Sequence, residues 1–105
     1  MVTEIKYNTD LFFVHAYYSP GTWYIWVYIL EINKTKAKDY ACSISIQTRK
    51  NDYLEENCIK SIPLKLDLSM EEVIQSGHGL VFTDAIAQRY VQNEKLEYTI
   101  HLSKV

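Results

Sequence analysis

The residues that could do chemistry in this chain are its histidines and one of its cysteines. His15 lies in a run of large apolar residues, His78 sits between two glycines, and His101 alternates outward near the C-terminus. Cys58 with His78 or His101 would form a thiol–imidazole pair, in which the imidazole takes the thiol proton and the thiolate attacks an electrophile. The sequence does not bring these residues together, so a small cysteine hydrolase is an alternative hypothesis.

Other patterns of catalytic or cofactor-binding sites do not occur in the sequence. No serine or cysteine stands in a nucleophile-elbow motif, and there is no Gly-rich phosphate loop. Cys42 and Cys58 are too few for a disulfide framework and badly spaced for zinc. Cys42 alternates in phase with Ile44 and Ile46, which is typical of a core position. We therefore predict no catalytic residue, no metal and no cofactor, and no enzymatic activity by this chain alone.

Composition limits the classes of partner. The 105 residues predict one domain, and 48% hydrophobic with 23% charged residues is typical of a globular protein. A net charge of −2 without a basic patch argues against nucleic acid. The longest apolar run, Trp23 to Leu30, is too short for a membrane helix. The N-terminus lacks a signal-peptide pattern, so we expect a cytoplasmic or nuclear location, or both.

Period-two alternation predicts most of the chain to be strand. Ala41 to Thr48 and Leu96 to Ser103 alternate apolar with polar residues, which indicates antiparallel strands with one solvated face. Leu11 to Tyr18 and Trp23 to Leu30 are apolar on both faces, and the turn signal Ser19-Pro20-Gly21-Thr22 joins them into a hairpin. Such strands need cover on both faces, either from helices of the chain or from another molecule.

Two short helices and three further strands complete the prediction. Ser69 and Glu72 form a capping box, followed by buried Val73 and Ile74 and by Gly77 as the stop. A second helix begins at Thr83-Asp84, and its apolar stripe is Ile86, Ala87, Tyr90 and Val91. Glu55 and Glu56 are assigned to a solvated loop. The further strands are Val2–Tyr7, Cys58–Leu66 and Leu80–Phe82. About seven strands with two short helices predict a mostly β, antiparallel β-sandwich.

Exposed aromatic surface is the strongest functional signal from the residues themselves. Tyr24, Trp26 and Tyr28 occupy alternate positions of one strand, and Tyr and Trp are enriched at interface hot spots. We predict these three residues to form an interface for a second copy of the chain or for a peptide. The alternative is that the two helices cover them.

The C-terminal third of the chain resembles a known family. Leu80-Val81-Phe82 followed by Thr83-Asp84-Ala85-Ile86-Ala87-Gln88, and then Glu94 to Ile100, resembles the end of the substrate-binding domain of seven-in-absentia (Siah-type) E3 ubiquitin ligases. Ser69–Glu72 resembles that family's helix start, and Lys36–Ala41 its polar turn into an aromatic-Ala strand. The hairpin Phe12–Leu30 fits in position. The resemblance implies one TRAF-like domain over residues 1–105 that lacks the first strand, binds peptides and forms homodimers.

The resemblance and the strand pattern together predict a protein-interaction module. Siah-type ligases carry a RING domain and cysteine-rich zinc fingers, and the two cysteines of this chain are too few to build either. The leading hypothesis is an adaptor or dimeriser. The alternative is the substrate receptor of an intact RING ligase acting in ubiquitin-dependent degradation. A missing first strand would leave Val2 to Tyr7 open to strand addition, with Val2, Ile5 and Tyr7 lining shallow pockets for a partner peptide.

Overall fold

A computed structural model describes residues 2–30, 37–50, 53–92 and 94–105. The described residues form eight strands, two α-helices and one short 3-10 helix, which confirms a mostly β fold with two short helices. The elements are β1 (Val2–Tyr7), β2 (Asp10–Ser19), β3 (Thr22–Ile29), the 3-10 helix (Ala37–Asp39), β4 (Tyr40–Lys50), β5 (Tyr53–Ser61), β6 (Leu64–Lys65), α1 (Met70–Ser76), β7 (Gly79–Thr83), α2 (Asp84–Tyr90) and β8 (Tyr98–Lys104).

The strands form two sheets. The large sheet runs β1-β2-β3, and the far edge of β3 pairs with β7 along Thr22–Trp26 and with β6 along Tyr28–Ile29. The small sheet has the order β5-β4-β8. All pairings are antiparallel except the two-residue pairing of β3 with β6. The predicted hairpin is confirmed as β2 and β3, joined by Pro20 and Gly21.

The core lies between the two sheets, and α2 closes one side of it. Apolar side chains at alternate positions of β2, β3, β7 and β4 meet there and are almost fully buried. Cys42 is among them, as predicted, and burial raises the pKa of its thiol to about 11. The buried set includes Phe12, Val14, Ile25, Val27, Ile29, Tyr40, Cys42, Ile44, Ile46, Leu80, Phe82, Ala87 and Tyr90.

The region predicted as one strand, Cys58–Leu66, is divided between the sheets. β5 begins earlier, at Tyr53, and ends at Ser61, so Glu55 and Glu56 lie in a strand and the predicted loop there is wrong. Pro63 cannot donate to a ladder, and the chain leaves the small sheet at that point and enters the large sheet as β6. This crossing brings the segment that follows, including α1, onto the large sheet.

Helix α1 is capped as the sequence predicts. Ser69 Oγ accepts from the Glu72 N–H at 3.2 Å, and Glu72 Oε1 accepts from the Ser69 N–H at 3.0 Å. Gly77 takes the left-handed conformation at φ 72°. Val73 is buried, but Ile74 is 45% exposed, so its predicted burial is wrong. The next residue of a helix points about 100° away, and this seven-residue helix buries only a narrow stripe.

Helix α2 confirms the second predicted helix with one difference. Thr83 Oγ1 accepts from the Ile86 N–H at 3.3 Å, and Ala87 and Tyr90 are buried. Val91 was predicted to continue the apolar stripe, but it follows the last helical residue and is exposed. In the segment Lys36–Ala41, Lys36 lies outside the described residues, and the remainder forms the 3-10 helix and the start of β4.

The hairpin of β1 and β2 turns through a strained residue. Asn8 and Thr9 both have positive φ, 51° and 66°, which is the pattern of a type I′ turn. Asn tolerates this region, whereas a β-branched residue there costs about 1–3 kcal/mol. We therefore expect Thr9→Gly to raise the free energy of unfolding by about 1 kcal/mol, because relief of strain exceeds the entropy that Gly adds to the unfolded chain. Thermal unfolding should show Tm higher by roughly 4 °C.

The matched control for this prediction is Thr9→Ala. Alanine keeps a Cβ, so most of the strain in the left-handed region remains, and the change in Tm should be clearly smaller than for glycine. A Thr9→Gly variant less stable than the parent chain would contradict a strained type I′ turn at these two residues.

Candidate functional site

Aromatic rings cover the outer face of the large sheet. Three cross-strand pairs join β2 to β3 there, since the registers place Phe13 opposite Tyr28, His15 opposite Trp26 and Tyr17 opposite Tyr24. Such pairs stabilise a sheet through direct side-chain contact. The ring centroids lie 5.4 Å apart for Phe13–Tyr28, 4.4 Å for His15–Trp26 and 6.2 Å for Tyr17–Tyr24.

The predicted exposed platform is wrong at its central residue, Trp26. Only 5% of Trp26 is exposed, because Val73 of α1 packs on this face in one buried cluster with it, together with Leu64 of the neighbouring strand β6. Tyr24 and Tyr28 are half-buried and pack against the rim of this cluster. Of the two helices that the sequence offered as a cover, α1 packs on this face, whereas α2 packs against the core between the sheets. Whether Tyr24 and Tyr28 contact a partner stays a prediction.

A small cleft remains between β2 and this cover. Its volume is about 210 Å³, close to that of one large side chain, and its apolar floor is Trp26. Burial lowers the pKa of His15, so the neutral imidazole is favoured at this position. The cleft is lined by His15, Trp26, Tyr28, Lys65, Leu66, Leu68, Met70 and Val73.

Strand β1 is a free edge of the large sheet, because it pairs with β2 alone among the described residues. The N–H of Leu30 donates to the carbonyl of Leu11 at 3.0 Å, so the main-chain groups of Leu11 face β3. In an antiparallel strand the main-chain N–H and C=O groups of successive residues point alternately to the two neighbouring strands. The main-chain groups of Phe12 therefore point towards its partner Ile5 in β1. The main-chain groups of Ile5 are therefore used within the hairpin.

The same alternation leaves three residues of β1 with outward main-chain groups. Val2, Glu4 and Lys6 direct their N–H and C=O groups away from β2, at the open edge. Their register is one-to-one from Val2–His15 to Tyr7–Asp10, without a bulge. An unpaired row of this kind is a template for another strand.

The side chains predicted to line a peptide groove do not share a face. Ile5 packs against the core, and the Tyr7 ring lies 6.1 Å from Tyr40, so both point between the sheets. Val2 is half-exposed and points to the outer face, opposite His15. Because the side-chain period of a strand is two, Val2 cannot join Ile5 and Tyr7 in one row. A peptide paired with β1 would meet them on opposite sides.

Cys58 and His101, one pair of the hydrolase alternative, are separated in the structure. Cys58 lies on β5, and His101 on β8, with β4 between the two strands. His101 lies opposite Ser43 rather than Ser45, the residue opposite Cys58, so the two side chains are also offset along the strands. Partial desolvation and the Glu56 carboxylate raise the pKa of the Cys58 thiol, which disfavours the thiolate.

The third histidine has a partner that the sequence did not indicate. Ser61 Oγ lies 2.6 Å from His78 Nδ1 and 3.3 Å from the His78 carbonyl oxygen. A hydroxyl beside an imidazole is the first element of a nucleophile–base pair. In the part of the chain that the structure describes, however, no carboxylate bonds to this ring to orient it. The pair instead ties the end of β5 to the loop before β7.

The described residues contain neither a cluster of metal-binding side chains nor a helix long enough to cross a membrane. Across residues 2–30, 37–50, 53–92 and 94–105, no three His, Cys, Asp or Glu side chains lie close enough to hold a metal ion. In the same ranges neither seven-residue helix has the length of a membrane-spanning helix.

Comparison of the sequence with protein-family models finds no match, and comparison with curated proteins finds no significant relative.

Proposed function

We propose that the chain is a non-catalytic protein-interaction module that binds an extended segment along β1 by strand addition. The observation that carries the proposal is the row of outward main-chain groups at Val2, Glu4 and Lys6. In this binding mode main-chain hydrogen bonds supply affinity, and alternate side chains supply specificity. The bound segment is a peptide of a partner protein, or β1 of a second copy in a homodimer.

The edge lacks the features by which proteins usually block pairing. β1 has no proline and no bulge, and its two charged side chains, Glu4 and Lys6, point to the outer face rather than along the edge. By contrast, β5 at the edge of the small sheet carries Glu55, Glu56 and Lys60, and Glu55 bonds to Arg89 of α2. This ion pair places the Arg89 side chain against β5, whereas neither Glu4 nor Lys6 of β1 forms an ion pair among the described residues.

An added strand would also cover apolar surface. β3 packs on β4, and β7 packs on β4 and β5, which puts β1 and β8 on the same side of the sandwich. Ile5 of β1 and Ile100 and Leu102 of β8 are only partly buried there. A strand paired with β1 extends the large sheet past this side, and its inward side chains would contact these residues.

The resemblance to Siah-type substrate-binding domains supports the same proposal. That family binds a peptide along a strand near the start of a TRAF-like sandwich and forms dimers. It extends the proposal to an adaptor, or to the substrate receptor of a RING ligase, in ubiquitin-dependent degradation. This extension depends on the motif Leu80–Gln88 and on the order of the elements.

Glu4→Pro tests strand addition at this edge. Proline removes the outward N–H at position 4 without removing a β1–β2 hydrogen bond, so folding should be preserved and pairing blocked. The probe is an eight-residue peptide selected from a random library on the immobilised chain. We expect its affinity, measured by fluorescence anisotropy, to fall about tenfold or more for Glu4→Pro. Light scattering of the same variants tests the homodimer.

Two further variants make the result specific. Glu4→Ala removes the same carboxylate but keeps the N–H, and its affinity should stay within about twofold of the parent chain. Ile5→Pro removes a hydrogen bond inside the hairpin and should lower Tm, which Glu4→Pro should not. Equal peptide affinity for Glu4→Pro and Glu4→Ala, with the assembly state unchanged in both, would exclude strand addition at β1.

A further inference from the structure

The outer face of the small sheet carries a row of side chains that donate hydrogen bonds. The registers place Ser43 of β4 between Lys60 of β5 and His101 of β8, and all three point to the outer face. Ser103 lies on the same face, opposite Ala41. Because the central strand has small residues here and its neighbours have longer ones, the row forms a depression in the sheet.

No negatively charged side chain lines this depression. Its volume is about 190 Å³. Among the described residues, neither the Lys60 ammonium nor the His101 ring has an ion pair, and the Ser43 hydroxyl has no hydrogen-bond partner. A lysine ammonium and groups able to donate hydrogen bonds, facing one cavity without a carboxylate, are complementary to an oxyanion. The lining residues are Ala41, Cys42, Ser43, Lys60, Ser61, His101 and Ser103.

We propose that this depression binds a phosphate group, with Lys60 and His101 on its two sides and Ser43 beneath it. The backbones of β5 and β8 lie two strand spacings apart, or about 10 Å. A phosphate is about 2.5 Å across its oxygens, and a hydrogen bond of about 2.8 Å on each side brings the span to roughly 8 Å. The side chains of Lys60 and His101 cover the difference. The Ser43 and Ser103 hydroxyls can donate to the remaining oxygens.

The charge distribution along the face favours a compact anion over a nucleic acid. Glu56 lies four residues before Lys60 on the same face of β5, about 13 Å away, where its carboxylate accepts from Gln47 Nε2 at 3.1 Å. An extended polyanion crossing the depression would approach this carboxylate and be repelled by it. A phosphate monoester, either on a small molecule or on a phosphorylated protein side chain, occupies the basic end alone.

Titration with inorganic phosphate tests the site. NMR should show saturable shifts of the His101 ring and the Ser43 amide, while the His15 ring stays unchanged. Lys60→Gln should weaken phosphate binding about tenfold or more, because a charge-assisted hydrogen bond is lost. Lys104→Gln makes the same charge change on β8 outside the depression and should alter the affinity less than about twofold. His101→Gln, the second variant on the site, should also weaken phosphate binding, because it removes the imidazole on the side opposite Lys60.

Two titrations distinguish the source of the phosphate. If a phosphoserine peptide binds more tightly than free phosphoserine, the ligand is a protein side chain, and equal affinities indicate a small phosphate ester. The proposal is wrong if about 20 mM phosphate gives no saturable shift at His101, or if Lys60→Gln and Lys104→Gln weaken binding equally. It is also wrong if a single-stranded oligonucleotide binds more tightly than either phosphate ester. None of these results depends on strand addition at β1.

Discussion

Replacing Trp26 by alanine should lower the free energy of unfolding by about 3–5 kcal/mol, as large-to-small changes at buried aromatic positions do. The ring is 5% exposed and packs in one buried cluster with Leu64 of the neighbouring strand β6 and Val73 of α1. A loss of that size is a large part of the 5–15 kcal/mol that stabilises an ordinary domain. Chemical denaturation measures it. Hydrogen exchange should show the amides of α1 losing protection first.

Tyr17→Ala is the control for this prediction. Tyr17 lies on the same outer face but is 41% exposed, and its removal should cost less than about 1 kcal/mol. The pair also tests the interface predicted from the sequence. If Trp26 were a contact residue for a second copy, Trp26→Ala would dissociate a dimer and leave the unfolding of each subunit almost unchanged. Strong destabilisation with an unchanged assembly state would assign Trp26 to the core.

The sequence predicts this fold well where the determinants are local. The capping box at Ser69 and Glu72 and the turn at Pro20-Gly21 lie within four residues of the features they control. Period-two alternation identifies β4 and its core residue Cys42, since burial of one face requires that pattern. The class of fold can be predicted from such local signals, because a strand with one buried face requires alternating apolar and polar residues.

The candidate sites were harder to predict because they depend on contacts between distant segments. Trp26 has the same alternation whether α1 or another molecule covers it, and only the crossing after Pro63 decides between them. The bond between Ser61 and His78 joins residues from two elements and has no motif. Similarly, the row of Lys60, Ser43 and His101 exists only through the registers of three strands.

The direction of the main-chain groups in β1 could have been derived from one hydrogen-bonded pair. Alternation of side chains is visible in the sequence, but the parity of the hydrogen bonds depends on the turn that sets the register. In this hairpin the two-residue turn at Asn8-Thr9 pairs Tyr7 with Asp10, so Glu4 and Lys6 face outward. A proline placed at Ile5 would test the integrity of the hairpin, and one at Glu4 tests the edge.

The second large effect is expected at Tyr40, where the two sheets are joined. The buried Tyr40 hydroxyl donates to the Asp10 carboxylate and accepts from Asn8 Nδ2 at 3.4 Å, which links the β1–β2 turn to the start of β4. Tyr40→Phe should lower the free energy of unfolding by about 1.5–3 kcal/mol at neutral pH, as loss of a buried hydrogen bond to a charged group does. Tyr18→Phe is the matched control. Its hydroxyl donates to Asp84 at 2.9 Å in an exposed setting, and the loss should be below about 1 kcal/mol.

The same pair of residues predicts a dependence on alkaline pH. The hydrogen bond to Asp10, together with burial, raises the pKa of Tyr40 above its ordinary value of 10.0, so the folded state holds this proton more tightly than the unfolded state. The stabilisation is fully present below pH 10.0 and is lost as the pH rises through the folded pKa. The difference in stability between the parent chain and Tyr40→Phe should therefore narrow above that pH. A constant difference from neutral to alkaline pH would show that the phenol and carboxylate are not coupled.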